Sequence, residues 1–436
     1  MKSLSGSSGR RRAAAASSRS PVDDMPSSSQ SQQKPSYERQ LDALLSPQGF
    51  SLGEMYDGDG RECDGPANRQ LASMILCRTP DADSQVSALC SHERGADPSA
   101  AISIALNERL AAPISLLSMA IDDETDSSSP MWLFTADKGL HDDRRLDLPL
   151  WPSREVQRAV LEALIEAGAD VNGGDPRPLA VARWCANLTA VEVLLKRGAA
   201  VRGLQLGHLP NPCLLPPSPG PQYYSALLDV YRRLFDHDRT LATEQLEDSG
   251  ATPMYIAGSA GSPSLPTDVM CSYLDLLAEH GASLTARNGK GFTPLDRAVL
   301  MGAPCVVEWM CERLGAEEIN RKNGKGFLPL ELAGYDLSKE KRPADYIDKR
   351  KQVVCVLLQH GASPDSMRTD NPMQRRAYSL VSDIDREMRQ RPPPPSPSPR
   401  CPPPIVEFSY PPRLTAAAAA LGRSQAGGKT SQDHGQ

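Results

Sequence analysis

The pentapeptide Asn-Gly-Lys-Gly-Phe occurs twice in this chain, and this repetition constrains the fold more than any other feature of the sequence. The first copy is Asn288–Phe292, and the second, 35 residues later, is Asn323–Phe327. Each copy is followed directly by an X-Pro-Leu tripeptide, Thr293–Leu295 and Leu328–Leu330. A fixed period of about 20–50 residues is the signature of a repeat architecture. The sequence therefore predicts a fold built at least in part from repeated units.

The local chemistry of each copy predicts a tight turn followed by a helix. Pro294 falls in the first turn of a helix, where its missing N–H costs nothing. Thr293, directly before it, is a residue type that accepts a hydrogen bond at a helix N-terminus. Asn-Gly and Gly-Lys-Gly supply the positive φ angles of a tight turn. The predicted unit is two helices joined by a short loop and followed by a projecting hairpin, and such units must stack because one alone cannot bury its apolar face.

A Gly-Ala pair is the second recurring element, and it follows amphipathic stretches such as Val160–Ile165 and Val191–Leu195. A glycine at this point predicts the left-handed C-cap of a helix. The pairs begin at Gly95, Gly168, Gly198, Gly281, Gly315 and Gly361. Further helix starts with an X-Pro dipeptide occur at Pro178, Pro253 and Pro372, with a looser one at Pro113.

These residues resemble the ankyrin-repeat family. The family pattern is a first helix with Thr-Pro-Leu-His-x-Ala, a second helix that ends in Gly-Ala-Asp, and a hairpin before the next unit; residues 281–295 follow it at full consensus spacing. The resemblance is dense from about 154 to 368, thin from 66 to 121, and absent from the two ends. It implies an all-α fold: an ankyrin-repeat solenoid of about seven stacked helix-loop-helix units with hairpin loops, and disordered N- and C-terminal tails.

The helix starts depart from the family pattern at one position. None carries the family's histidine; in its place stand Ala180, Tyr255, Asp296 and Glu331. Because the histidine implies a regular hydrogen-bond network in the family, we expect a weaker network and a less stable array here.

Insertions interrupt the regular spacing. Tyr335–Lys349 is predicted to lengthen a loop between helices, and the largest insertion, 122–153, is acidic at Asp122–Glu124. Insertions fall in loops because loop lengthening costs little free energy. Residues 204–248 are predicted to form a degenerate repeat with a helix at Tyr223–Phe235.

Composition places the unfolded segments at the two ends, where low-complexity sequence cannot bury enough apolar surface to offset chain entropy. The predicted organisation is a disordered Ser/Arg/Ala-rich tail at 1–36, a divergent helical or ankyrin-like part with the acidic insertion at 37–153, ankyrin repeats with a C-terminal capping helix at 154–390, and a Pro-rich, low-complexity disordered tail at 391–436.

Charge and cysteine usage exclude several functional classes. The formal net charge of −6 gives no global attraction to nucleic acid or anionic lipid, and no run of about 18 apolar residues occurs, so we expect neither nucleic acid nor a membrane as partner. The ten cysteines show no Cys-x-x-Cys or Cys/His cluster, so we expect no metal site. No nucleophile elbow, phosphate loop or zinc-protease motif occurs, so we expect no cofactor and no enzyme.

The resemblance implies a concave binding face made of hairpin tips and inner helices. Mapped onto this sequence, the partner-binding positions are Arg287, Lys290, Phe292, Lys322, Lys325 and Phe327 at the tips and Asp296, Arg297 and Glu331 on the inner helices. Aligned tips place a basic strip beside an aromatic strip, which suits an acidic, partly apolar peptide. The alternative, solvated lysines and phenylalanines packed on their neighbours, stays open.

The leading functional hypothesis is a non-catalytic protein–protein interaction scaffold that uses this concave face and the hairpin tips. Two alternatives are an adaptor that delivers a bound protein to a ubiquitin ligase or kinase, and an enzyme with activity in residues 66–153. The segment Arg389–Pro395 fits a ligand for a polyproline-binding domain. We expect an intracellular, cytoplasmic protein, while the basic N-terminal tail leaves a nuclear or organellar destination open.

Overall fold

The structure is a computed structural model of the 436-residue chain. It describes residues 34–106, 109–110, 112–122, 131–132, 145–204, 206–207, 209, 221–259, 265–339 and 342–390. The predicted tail 391–436, with the prolines of the polyproline motif, lies outside the described residues, as does all of the tail 1–36 before residue 34. Most of the insertion 122–153 also lies outside them.

Helices make up most of the described chain. The strands are short, and within the described ranges all of them lie before residue 147. The helices are α1 (Ser36–Leu45), α2 (Pro66–Leu76), α3 (Ala82–Leu89), α4 (Leu116–Met119), α5 (Arg154–Glu166), α6 (Pro178–Trp184), α7 (Leu188–Lys196), α8 (Pro221–His237), α9 (Pro253–Ala257), α10 (Thr267–Glu279), α11 (Pro294–Met301), α12 (Pro304–Cys311), α13 (Ala316–Ile319), α14 (Pro329–Leu337), α15 (Ala344–Gln359) and α16 (Pro372–Gln390). The strands are β1 (Phe50–Tyr56), β2 (Ala101–Leu106), β3 (Arg109–Leu110), β4 (Ile114–Ser115), β5 (Met131–Trp132) and β6 (Arg145–Leu146).

From α2 onward the helices stack in two layers. In the outer layer α3, α5, α7, α8, α10, α12 and α15 each pack on the next. In the inner layer α2, α4 and α6 pack in series, as do α9, α11 and α14. Among the described residues, inner and outer helices form six consecutive pairs: α2/α3, α4/α5, α6/α7, α9/α10, α11/α12 and α14/α15. This arrangement confirms the predicted stack of paired helices, and α8 confirms the helix expected in the degenerate repeat.

One elongated apolar core runs through the stack. The outer helices contribute residues spaced three and four apart, which places them on one helix face. These side chains are fully buried between consecutive helices: Leu161 and Leu164 in α5, Val191 and Leu194 in α7, Leu274 and Leu277 in α10, Val307 and Met310 in α12, and Val354 and Leu357 in α15. Each unit therefore depends on its neighbours for burial of its apolar face.

Four of the six Gly-Ala pairs end a helix as predicted, those at Gly168, Gly198, Gly281 and Gly361, whereas Gly95 follows a turn six residues after α3 ends at Leu89. Gly95, Gly168, Gly198, Gly281 and Gly361 have φ angles between 67° and 111°, a region that glycine enters without steric cost. After α10, the Ala282 N–H donates to the Leu277 carbonyl at 2.9 Å and closes the helix. Gly315 is the exception: its φ is −75°, and it begins the short helix α13 instead of ending α12.

Backbone hydrogen bonds join three successive hairpins. Gly289 N–H donates to the Ser249 carbonyl and Gly324 N–H to the Gly291 carbonyl, each at 2.8 Å. The approach is so close that a Cβ at position 324 would overlap the Lys290 carbonyl oxygen. Glycine at this position is therefore required for the hairpins to stack.

A small antiparallel sheet adds to the predicted helical fold before α5. β2 is central and pairs with β1, β3 and β4, with Tyr56 opposite Ala101 and Ala101 opposite Ser115. β1 and β2 are about 50 residues apart in the chain, so no local signal reveals their pairing. Farther along, β5 pairs with β6 within the predicted insertion.

A buried ion pair connects this N-terminal part to the helical stack. Arg78 Nε donates to Asp122 Oδ1 at 3.1 Å, and both side chains are almost fully buried. Trp151 N–H donates to Asp122 Oδ2 at 2.9 Å, and the Arg78 guanidinium lies 4.9 Å from the centre of the Trp151 ring. Asn187, at the start of α7, donates to the Asp122 carbonyl at 2.8 Å. Asp122, predicted to belong to an acidic loop, is instead part of the core, because Arg78 supplies its counter-charge.

A second buried ion pair occupies the region of the predicted insertion Tyr335–Lys349. Arg350 in α15 contacts Asp336 in α14 at 2.7 Å and donates to the Leu300 carbonyl at the end of α11 at 2.6 Å. The insertion is mostly helical, because α14 extends through Leu337 and α15 begins at Ala344. The predicted long loop is therefore wrong: the added residues lengthen two helices, which lets the ion pair join two units.

Replacement of Arg78 by methionine is expected to destabilise the protein strongly. The Arg78→Met variant leaves the buried Asp122 carboxylate only the more exposed Arg154 guanidinium, 3.8 Å away, and breaking a buried pair costs about 3–5 kcal/mol. The free energy of unfolding from urea titration measures this loss, and adding Asp122→Asn should recover part of it. As a control, Arg232→Met removes an exposed pair with Asp229 (2.8 Å) and should cost less than about 0.5 kcal/mol. Equal losses in Arg78→Met and Arg232→Met would contradict the assignment of a buried ion pair.

Candidate protein-binding surface

Four cations lie exposed on the hairpins that precede α11 and α14. We call this set, Arg287, Lys290, Lys322 and Lys325, the basic hairpin edge. The ammonium groups of Lys290 and Lys322 make no ion pair with other residues that the structure describes. The two repeats of the pentapeptide thus place positive charge side by side on adjacent units.

An asparagine holds the turn of each hairpin. Asn288 Oδ1 accepts hydrogen bonds from the N–H groups of Lys290 (3.0 Å) and Phe292 (2.9 Å). Asn323 Oδ1 does the same for Lys325 (3.0 Å) and Phe327 (3.1 Å). These bonds mimic a backbone turn, so the chain can keep this shape without partner contacts.

Arg287 links its own hairpin to the next one. Its guanidinium donates to the Gly291 carbonyl at 2.9 Å and to the Lys322 carbonyl at 3.0 Å. Together with the backbone hydrogen bonds between hairpins, this contact fixes the spacing of the two basic tips. The basic hairpin edge is therefore a rigid surface rather than a set of independent loops.

The predicted aromatic strip is covered by cations of the following hairpin. Phe292 is only 9% exposed, and the Lys325 ammonium lies 5.7 Å from the centre of its ring. Phe327 is half-buried, with the Arg368 guanidinium 4.4 Å from its ring centre and Tyr335 edge-on at 5.5 Å. The expected exposure of Phe292 is wrong because the next unit packs its cation on the ring, a favourable cation–π arrangement.

Arg368 is a contributor that the sequence analysis missed, although a signal for it exists. Lys290, Lys325 and Arg368 each stand three residues before the residue that caps the following inner helix. Lys325 and Arg368 use this position to cover the phenylalanine of the preceding unit. Lys290 has no such ring to cover, because Ala251 occupies the equivalent position one unit earlier.

Asp296 is a structural residue at the start of α11. Its side chain is 1% exposed, and Oδ2 accepts hydrogen bonds from Thr293 N–H (2.8 Å) and Thr293 Oγ1 (3.0 Å). Thr293 Oγ1 in turn accepts from Asp296 N–H at 3.2 Å, which completes a capping box. Burial raises the pKa of Asp296, while the Thr293 bonds and the neighbouring Asn323 amide lower it.

Glu331 has the equivalent role at the start of α14. It is 1% exposed, and it accepts from Leu328 N–H at 2.9 Å and from Arg368 N–H at 2.7 Å. Arg368 Nε also lies 3.1 Å from the Glu331 carboxylate. Carboxylates thus take the place of the family's histidine at these two helix starts, and Glu331 also bonds to the next unit through Arg368.

Arg297 lies between neighbouring inner helices. Its Nε donates to Ser259 Oγ at 2.7 Å, and its guanidinium lies 5.9 Å from the centre of the Tyr255 ring. The side chain is half-buried, so part of its charge faces the inner surface next to the basic hairpin edge.

The charge around this edge is unbalanced. Within residues 281–297 and 320–332 the only carboxylates are Asp296 and Glu331, and both are buried. The preceding hairpin carries the opposite charge, with Glu247 and Asp248 exposed. The segment before α16 also carries exposed carboxylates, Asp365 and Asp370, so the edge is a positive region with negative charge on both sides.

The decisive observation is a set of features that recur along the stack: an X-Pro start to inner helices such as α6, α9, α11 and α14, a glycine of positive φ after the outer helices α5, α7, α10 and α15, and hairpins that bond to one another before α9, α11 and α14. The units have the fold of an ankyrin-repeat solenoid. The fold predicted from the sequence is thus shown by the geometry of the chain itself.

Comparisons with known proteins found similarity among solved structures. No family model matches the chain, and no curated protein sequence matches it. Among solved structures, the ankyrin repeat domain of human ASB11 is 21% identical, with a TM-score of 0.31, over 48% of this chain and 80% of that domain. The ankyrin repeat domain of Bcl-3 is 16% identical, with a TM-score of 0.34, over 66% of this chain and 97% of that domain. The assignment of ankyrin repeats rests on the repeat geometry, not on these two similarities.

Two further findings concern other classes of site. None of the helices that the structure describes is both long and apolar enough to cross a membrane. Across the described ranges, His, Cys, Asp and Glu side chains do not come together in groups of three or more that could hold a metal ion.

Replacement of Asn323 by aspartate is expected to destabilise the ankyrin array. The Asn323→Asp variant keeps the oxygen that holds the turn but places a second carboxylate beside buried Asp296, at a cost of about 2 kcal/mol at neutral pH. Like charges raise the pKa of a carboxyl group, so the folded pair binds a proton more readily than the unfolded chain. The loss should shrink as the pH falls through the pKa of Asp296, and urea denaturation across a pH series measures it.

Asn288→Asp is the matched control for this prediction. Asn288 makes the same two turn bonds, but Tyr255, not a carboxylate, stands where Asp296 stands in the next unit. We expect this variant to lose less than about 0.5 kcal/mol. Equal losses in the two variants, or a loss in Asn323→Asp that does not change with pH, would contradict the contact with Asp296.

Proposed function

We propose that this protein is a non-catalytic binding scaffold whose basic hairpin edge holds an acidic, partly apolar segment of a partner protein. The observation that carries the proposal is the concentration of exposed cations on two adjacent hairpins, while the carboxylates in the helices that follow them, Asp296 in α11 and Glu331 in α14, are both buried. Arg297 and the exposed part of Phe327 extend this surface toward the inner helices.

Rigidity supports this proposal. The backbone hydrogen bonds between hairpins and the Arg287 bond to the Lys322 carbonyl fix the positions of Lys290 and Lys322 in the free protein. A preformed surface loses less conformational freedom on binding, so more of the interaction energy appears as affinity. The buried residues of the predicted set, Phe292, Asp296 and Glu331, would act by holding this surface in place rather than by touching the partner.

Charge supplies the selectivity. An acidic segment would be attracted to the basic hairpin edge and repelled by Glu247 and Asp248 on the preceding hairpin. Complementary charge raises association rates and excludes partners of the wrong sign more than it raises affinity. The proposed binding should therefore weaken as salt is added.

Charge reversal on two lysines tests the proposal. In the Lys290→Glu/Lys322→Glu variant, each glutamate repels an acidic ligand, so affinity should fall about tenfold or more. Fluorescence anisotropy with a labelled peptide of alternating glutamate and leucine measures the dissociation constant at several salt concentrations. A labelled peptide with lysine in place of glutamate is the ligand control, because any binding of this peptide is independent of acidic charge.

The matched control reverses two lysines on the outer helix α15. Lys349→Glu/Lys351→Glu changes the net charge by the same amount but lies away from the hairpins, so affinity should stay within about twofold of the native value. Equal weakening in both double variants would assign the effect to net charge, and failure of the native chain to bind the acidic peptide at low salt would overturn the proposal.

A further inference from the structure

A cavity of about 370 Å³ lies near the N-terminal end of the ankyrin array, far along the chain from the basic hairpin edge. One wall is the end of the sheet, where Tyr56, Ala101 and Ser115 are neighbours on three adjacent strands. The opposite wall is the hairpin that follows α5, residues 169–174. The volume falls in the range of about 300–1,000 Å³ that is typical of small-ligand sites.

Ser99 holds these two walls together. Its hydroxyl donates to the Gly168 carbonyl at 3.2 Å and accepts from the Asp170 N–H at 3.1 Å. The sheet and the hairpin therefore meet through paired hydrogen bonds, which gives the cavity a defined shape. The sheet that forms this wall is an addition to the repeat pattern, so the cavity belongs to this chain in particular.

The lining combines apolar surface with two carboxylates. Leu117, Pro98 and the ring of Tyr56 supply apolar contacts, and Asp57 and Asp170 contribute from opposite walls. No lysine, arginine or histidine is among the described residues that line the cavity. The nearest basic residue in the turn after β1, Arg61, is held by Asp59 at 2.7 Å.

Each of the two carboxylates keeps one oxygen available. Asp57 Oδ1 accepts from the N–H groups of Asp59 (3.0 Å) and Arg61 (2.8 Å), and Asp170 Oδ1 accepts from Asn172 N–H at 2.8 Å. The Oδ2 atoms of both residues accept no hydrogen bond from the described residues. The backbone thus orients each carboxylate through one oxygen and leaves the other for a ligand.

We propose that this cavity takes the side chain of an arginine from a bound protein. An arginine has an aliphatic stem that matches the walls of Leu117 and Pro98 and a planar head with donors on two sides, which suits carboxylates on opposite walls. Lysine, with one compact charge, binds less well. The site is independent of the basic hairpin edge, so either proposal can fail without the other.

The test uses N-acetyl-arginine N-methylamide as probe and the full chain, labelled with ¹⁵N and ²H, in transverse-relaxation-optimised NMR. We expect saturable shifts of the amides of Gly58, Gly60, Gly173 and Gly174, with a dissociation constant of about 1 mM, as is usual for a ligand of this size. The citrulline analogue has the same shape without charge and should shift these amides far less.

Conservative variants then locate the binding. Asp57→Asn and Asp170→Asn keep the oxygen that accepts from the backbone, so the turns persist, but each should weaken binding of the arginine probe about tenfold. Glu62→Gln removes an equal charge next to the same turn, outside the cavity, and leaves the Asp59–Arg61 pair intact, so we expect no change in affinity. Thermal denaturation of each variant confirms that the fold is retained.

Three results would overturn the proposal. The first is the absence of shifts at these glycines up to the solubility limit of the arginine probe. The second is an equal response to the citrulline analogue, which would show that charge is not recognised. The third is equal weakening in Glu62→Gln, which would assign the effect to surface charge in general.

Discussion

No unit of this chain can bury its own apolar face, and the rest of the structure depends on that constraint. The outer helices carry leucine and valine at helical spacing, and each set is buried only when the next helix packs on it. The backbone hydrogen bonds from Gly289 to Ser249 and from Gly324 to Gly291 extend the same dependence to the hairpins. Stability and the shape of the exposed surface are therefore properties of neighbouring pairs of units, not of single units.

Buried polar residues set the register of this stack. Asp296 and Glu331 each cap their own helix and face a residue of the following unit, Asn323 and Arg368. The ion pairs Arg78–Asp122 and Arg350–Asp336 occur where the chain departs from the repeat, at the N-terminal junction and between the lengthened helices. Because an unpaired buried charge is costly, such pairs allow only the arrangement in which both partners meet.

The inter-unit contacts also select which residues are exposed. Lys325 and Arg368 cover the phenylalanines of the preceding unit, while Lys290 has no ring to cover and Lys322 faces solvent. Three equivalent positions thus have two roles: Lys325 and Arg368 pack on aromatic rings, whereas Lys290 leaves its charge exposed. At the other end of the array, the added sheet and the hairpin after α5 enclose a cavity. Its charged lining residues are Asp57 and Asp170, so its charge is negative.

The sequence by itself determined the repeat unit, because its signals are local. Proline in the first helical turn, threonine before it, glycine at a positive φ and the Asn-Gly turn act over a few residues. Helix α8 and four of the six Gly-Ala pairs are where they were expected. Only the tertiary structure decided the sheet, the burial of Asp122 and Phe292, the helical insertion after Tyr335 and the role of Arg368. Each of these depends on a contact with a residue at least one unit away. Sequence spacing does not indicate which distant side chains pack against each other.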